Sequence, residues 1–190
     1  MKIRKPNRLK DFDYSSCGCY FITICTHNRI HHFGEIMSGT MKLNEFGEIA
    51  AENWNSIPLH FHNVLLDEFI VMPNHIHGII GIIDNPKGNP QVANINPQIG
   101  KKLDRSKMLV SRIVQQYKAS VTRDINNLNK IEFKWQRSFY DHIIRNERSY
   151  ENIQSYIFYN PIKWEMDIEN IKNQFKDTLE YYKKIFTGKN

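Results

Sequence analysis

The chain has 190 residues, 41% of them hydrophobic and 12% aromatic, and a formal net charge of +6. That length suits one domain with a real core, and that composition excludes a disordered chain. No apolar run approaches the ~20 residues that a membrane-spanning helix needs, so we expect one globular domain over 1–190, cytoplasmic and without a membrane partner.

Five cations crowd the first ten residues, and 1–13 reads as a basic arm. "CYFITICTHNR" (19–29) is rich in β-branched and aromatic residues and predicts a central strand. Its Cys19 and Cys25, with Cys17, make an odd count that frames no disulfide, so all three read as reduced thiols. "HHFGEIMSGTMKLN" predicts a short irregular or hairpin segment. In 44–57, Phe46, Ile49, Ala50, Trp54 and Ile57 recur at helical spacing, with Pro58 after the end.

Two strand-like runs follow, 63–73 and 74–83, broken at Pro73 and Asn74. The Asn-, Gly- and Pro-rich stretch 84–105 reads as a flexible loop. Helix returns in "SKMLVSRIVQQYKASVTRDINNL", with an apolar stripe of Val110, Ile113, Val114, Tyr117, Val121 and Ile125. "EFKWQRSFYDHIIR" (132–145) reads as an approach loop and short strand. A helix over 146–160 starts at an Asn146 cap and stops at Pro161, and 161–190 reads as a helical extension, its helix over about 165–186. Strands and helices in this order suggest an α+β fold in which helices cover one face of a mainly antiparallel sheet, leaving the other face for function.

The chemistry concentrates in "FIVMPNHIHGII" (69–80). Strand residues at i and i+2 point the same way, so His75 and His77 project side by side while Ile76 and Gly78 face the opposite side. Two imidazoles on a rigid sheet make half of a divalent-metal site. A second pair, His60 and His62, sits in a helix-to-strand loop and reads as surface. In the helix 146–160, Tyr156 and Asn160 stand four residues apart on one face. Two His nitrogens and an Asn oxygen suit Mg²⁺ or Mn²⁺, with Tyr156 beside them as a nucleophile.

Charge is concentrated as well. Residues 101–145 hold eleven Lys and Arg against four Asp and Glu, the footprint of a polyanion partner. Arg112, Lys118, Arg123, Lys134, Arg137 and Arg145 are candidates to track phosphates. Trp135, Phe139 and Tyr140 are candidates to stack on bases or to pack the core.

"VMPNHIHGII" resembles the histidine-hydrophobic-histidine (HUH) motif of single-tyrosine transposases, and "SYIFYNP" resembles their tyrosine helix. The resemblance runs in order over most of 15–165 and is closest to the REP-associated tyrosine transposases. It implies a ferredoxin-like antiparallel sheet with the histidines on its open face, and the extra C-terminal helix of 161–190 is a departure from that pattern. It also implies cleavage and rejoining of single-stranded DNA, at hairpin or palindromic ends, through a 5′-phosphotyrosine. By position, Tyr156 attacks, His75 and His77 hold Mg²⁺ or Mn²⁺, and Asn160 stands where insertion-sequence relatives often carry Gln. Monomer and homodimer both stay open. Two alternative functions are a non-catalytic nucleic-acid-binding module of this fold and a rolling-circle initiator or relaxase.

Overall fold

The computed structural model describes residues 13–84, 108–128, 132–173 and 185. Its centre is a four-stranded antiparallel sheet in the order β4-β5-β1-β6, built from β1 (Gly18–Cys25), β4 (Val64–Met72), β5 (His75–Ile82) and β6 (Tyr140–Ile144). With its helical crossovers this is the ferredoxin-like sheet expected from the sequence. The segment 34–43 forms a separate hairpin, β2 (Gly34–Met37) and β3 (Thr40–Leu43).

The helix α1 (Glu45–Asn55) begins where the Asn44 side chain accepts from the backbone N–H groups of Phe46 and Gly47, satisfying two donors that a helix start leaves open. Pro58 does not simply follow a helix end. It lies in the first turn of a four-residue helix, α2 (Ile57–His60), where its missing N–H costs nothing. The long helix α3 spans Leu109–Asn127 with the predicted stripe buried.

α1 and α3 cover one face of the sheet. Trp54 stacks on Phe69 at 4.8 Å and meets the edge of Tyr117, and the sheet residues Tyr20, Ile22, Ile24, Ile76, Ile80 and Ile143 fill the same core. The helix α4 (Glu147–Tyr159), capped by Asn146 as predicted, lies on the other face. Its Ile153, Tyr156 and Ile157 pack against Cys19, Phe21, Ile79 and Ile144. The face expected to be left for function is therefore partly roofed by the tyrosine helix itself.

The chain beyond α4 corrects one expectation. Residues 164–173 form a 3-10 turn (Trp164–Met166) and a series of tight turns, not the start of a helix over about 165–186. Asp167 accepts from the N–H of Glu169, and Asn170 from that of Lys172. Side-chain acceptors of this kind offer the backbone an alternative to helix bonds. Most of the remaining extension, all but one residue of the 1–13 arm and nearly all of the 84–105 loop lie outside the described residues.

Candidate active site and metal centre

Antiparallel register carries the histidines to the site. His77 pairs with Thr23 of β1 and His75 with Cys25. Because side chains alternate, Ile76 enters the core and Gly78 faces Trp54, while both imidazoles share the opposite face. His77 stacks on Phe21 at 5.2 Å, and its Nδ1 is hydrogen-bonded to Thr23 Oγ1 at 2.8 Å.

His75 is held from behind by Asn74. The Asn74 amide nitrogen donates to the carbonyls of Arg29 (3.2 Å) and Glu169 (2.9 Å), which turns its oxygen toward His75 Nδ1 at 2.8 Å. An amide oxygen only accepts, so Nδ1 of His75 carries the ring proton and Nε2 presents a bare lone pair. That lone pair lies 2.9 Å from His77 Nε2. Two ring nitrogens at such a distance attract only with a proton or a cation between them. Burial and the neighbouring His77 push the His75 pKa down to about 3, which leaves the ring neutral.

α4 brings the tyrosine to this pair. The Tyr156 hydroxyl is 2.8 Å from His77 Nε2 and donates to Asp167 Oδ2 at 2.9 Å. Asn160, one turn further along, donates its amide nitrogen to the same Oδ2 at 2.8 Å. Its carboxamide oxygen is buried without a hydrogen-bond partner. Burial works against charge on Asp167, but the two histidines and the Asn160 amide outweigh it and hold the carboxyl far below the usual carboxylate range. Asp167 is thus an ionised group inside the protein, 1% exposed.

His75, His77 and Asp167 offer ligand atoms that all lie within 4.8 Å of one another, a group that can hold a metal ion. The 2.9 Å between the imidazole nitrogens also matches an ion's needs, since neighbouring ligands ~2.1 Å from an octahedral cation stand ~3 Å apart. The orphaned Asn160 oxygen is a further donor beside them. Each histidine has its second nitrogen tied to a fixed group, the usual way in which a metal-ligating ring is oriented.

A strap, residues 161–173, closes over this cluster. Trp164 lies 5.9 Å from the His75 ring and 5.8 Å from His31. Glu169 receives the Arg29 Nε hydrogen bond at 2.6 Å. Arg29 and Asn28 both sit at positive φ, near +54°, a strained backbone for residues with a Cβ. That turn is what aims the Arg29 carbonyl and guanidinium at Asn74 and Glu169.

Tyr156, His75, His77 and Asn160 are thus brought together, and Tyr159, 46% exposed, points away from them. Asp167, Asn74 and Thr23 were missed in the sequence. Asp167 stood in a stretch read as helix, where a carboxylate looks like a solvated face. The density of turn-forming residues in "MDIENIKN" was the available signal. His60 and His62 are exposed, as expected.

The cationic residues divide. Lys118, Arg123, Lys134 and Arg137 line one wide, shallow groove between α3 and the 133–137 segment. Arg112 and Arg145 are exposed but do not line it. The Lys118 ammonium donates to the Gln136 carbonyl at 2.6 Å and to that of Arg137, so it pins the loop. Trp135 is packed against the core, contacts Phe33 and Phe133, and donates its indole N–H to the Lys118 carbonyl. Both residues thus have a structural role, and both also line the groove. Tyr140 sits on the functional face of β6, 6.5 Å from Phe21 and half-open to solvent. Among the described residues no helix is long and apolar enough to cross a membrane.

No protein-family model matches the chain. A Haemophilus influenzae protein of uncharacterized function is 43% identical over 169 residues, covering 86% of this chain and 91% of its own. A second H. influenzae protein, provisionally named a REP-associated tyrosine transposase, is 26% identical over 80% of this chain and 74% of its own. Among solved structures, that of a REP-associated tyrosine transposase bound to a REP hairpin superimposes with a TM-score of 0.55 at 19% identity, over 85% of this chain and 74% of that one, a likeness of fold. The chain belongs to one family with the 43%-identical Haemophilus protein, and in its motifs and fold it is similar to the REP-associated tyrosine transposases.

Proposed function

We propose that the protein is a metal-dependent single-stranded DNA transposase that cuts and rejoins its substrate through a 5′-phosphotyrosine on Tyr156. The observation that carries this reading is the convergence of one phenol, two imidazoles and one carboxylate. The Tyr156 oxygen stands 2.8 Å from His77 Nε2 and 2.9 Å from Asp167 Oδ2.

A phenol with a free pKa of ~10 is a weak nucleophile until its proton is accepted. Asp167 Oδ2 accepts the hydroxyl's hydrogen bond and holds its oxygen for attack, and as that oxygen bonds to phosphorus its proton passes to solvent. The P–O3′ bond then breaks, leaving the 5′-phosphate on Tyr156 and a 3′-oxygen that takes up a proton. Rejoining runs the same steps backward, with the 3′-hydroxyl as the attacking group. His75, His77 and Asp167 would hold Mg²⁺ or Mn²⁺, with the Asn160 oxygen beside them, and such an ion supplies positive charge to the phosphate oxygens. Asn74 and Thr23 keep the two rings in the orientation that this requires.

The groove lined by Arg123, Lys134 and Arg137 serves the DNA backbone, and Tyr140 is the aromatic residue best exposed for a base beside the reacting tyrosine. The solved relative was bound to a REP hairpin, and we infer the same class of ligand here. Tyr156 is only 5% exposed, so a strand reaches it only when the strap shifts.

The test is incubation with labelled hairpin-bearing single-stranded DNA and Mn²⁺, read on a denaturing protein gel. A covalent adduct is expected with the wild type and with Tyr159→Phe, and none with Tyr156→Phe. Tight DNA binding without an adduct under any divalent metal would instead favour a binding module.

A further inference from the structure

We propose that Asp67, on edge strand β4, is a positioning residue that sets the rotation of the tyrosine helix over the histidine pair, an inference that rests on Tyr156 being the nucleophile. Two donors of α4 converge on one atom of Asp67. The Tyr150 hydroxyl donates to Oδ2, and the Gln154 amide nitrogen donates to the same Oδ2 at 2.9 Å. Tyr150 and Gln154 stand at i and i+4, one stripe of the helix.

The local backbone of β4 is built for this. Pairing with β5 runs Leu66 to Ile80 and then Phe69 to Gly78, so β4 carries one extra residue between them. Such a bulge re-aims side chains. Here Leu66 and Phe69 both pack into the core under α1 and α3, while Asp67 meets α4 on the opposite face.

The helix needs a directional tie. Apart from the Tyr156 hydroxyl on His77, which belongs to the reacting group itself, its other contacts with the sheet are the apolar ones of Ile153, Tyr156 and Ile157, and apolar attraction has no preferred angle. At ~100° per residue, Tyr156 lies at one margin of the buried stripe and Tyr150 and Gln154 lie at the other. A turn of ~10° about the axis would swing a hydroxyl ~8 Å from that axis by more than ~1 Å. A displacement of ~1 Å at a reacting atom can cost ~100-fold in rate. The Asp67 contacts oppose that turn from the far margin.

The experiment compares wild type, Asp67→Ala and Asp67→Asn. It measures single-turnover adduct formation with saturating hairpin DNA and Mn²⁺, DNA affinity by fluorescence anisotropy, and the ¹⁹F resonance of 3-fluorotyrosine at position 156. Asp67→Ala is expected to slow adduct formation at least ~10-fold with DNA affinity within about twofold, and to shift or broaden the ¹⁹F signal. Asp67→Asn keeps an oxygen in place of Oδ2 for both donors and is expected to restore at least about half the rate. An unchanged rate in Asp67→Ala overturns the proposal. So does a rate loss matched by a loss of DNA affinity, or an Asn variant as slow as the Ala variant. If the wild type forms no adduct, the nucleophile reading fails on its own. The ¹⁹F signal then decides the positioning claim: a signal unmoved by Asp67→Ala overturns it, and a shift that Asp67→Asn reverses supports it.

Discussion

The two faces of the four-stranded sheet are both covered, one by α1 and α3 and the other in part by α4 and the strap, but with opposite chemistry. Under α1 and α3, Ile22, Ile24, Ile76 and Ile80 meet Trp54, Ile113 and Val114 in a predominantly apolar core, with Asp141 of β6 the buried carboxyl beside Ile22. On the other face, at the end of β5, Thr23, His75, His77, Tyr156, Asn160 and Asp167 are buried at 5% exposure or less. The first arrangement is favourable from apolar burial alone. The second takes polar groups out of water and offsets the cost only through their mutual hydrogen bonds. A polar cluster of this kind often adds nothing to stability compared with apolar residues of the same shape. Its presence argues for chemistry, and the two faces should respond differently to substitution.

The largest expected effect is at the nucleophile. Tyr156→Phe removes the attacking oxygen and is expected to lower adduct yield by at least ~1,000-fold, at a stability cost of ~1–3 kcal/mol from the hydrogen bonds lost at Asp167 and His77. Adduct from that variant at wild-type rates would show that another residue attacks. Metal comes next. Mn²⁺ is expected to raise the wild-type melting temperature, by ~2.7 kcal/mol of stability at a hundredfold excess over its dissociation constant, and chelation is expected to abolish the adduct. Thr23→Val, which removes the fixed partner of His77 Nδ1, should weaken Mn²⁺ binding by ~10–100-fold in calorimetry.

Gly78 sharpens the comparison, because it is the neighbour of His77 that faces the other way. A Cβ there would stand 2.2 Å from the Trp54 ring. Gly78→Ala is expected to cost ~1–3 kcal/mol in denaturant titrations, while adduct formation per folded molecule stays near wild type. Loss of adduct without loss of stability would break the division between the faces. The smallest effect is on the surface. Replacing Arg123 and Arg137 with Ala should leave melting unchanged and reduce the salt dependence of single-strand binding by a log–log slope of ~1.4, about 0.7 for each lost phosphate contact.

Much of the fold was legible because its signals are local. The strand runs around Phe21 and Ile79, the helical stripe from Val110 to Ile125 and the Asn146 cap each depend on residues a few positions apart. Alternation alone placed His75 and His77 together. Other features depended on distant chain. Lys118 looked free for a phosphate until its ammonium was seen on the carbonyls of Gln136 and Arg137. Trp135 could stack on bases or pack the core by sequence, and the 133–137 segment folds it inward against Phe33. Asp67 gave no signal, since its role comes from a β-bulge and from two donors more than 80 residues away.

By itself the sequence determined which side chains share an element's face, because backbone geometry repeats every 2 residues in a strand and every 3.6 in a helix. That was enough for the histidine pair and for Tyr156 with Asn160. Only the tertiary structure decided that α4 crosses the histidine-bearing face, and that the chain beyond it turns back to place Asp167 against Tyr156. Those outcomes depend on antiparallel register and on where a run of tight turns ends, and neither follows from periodicity.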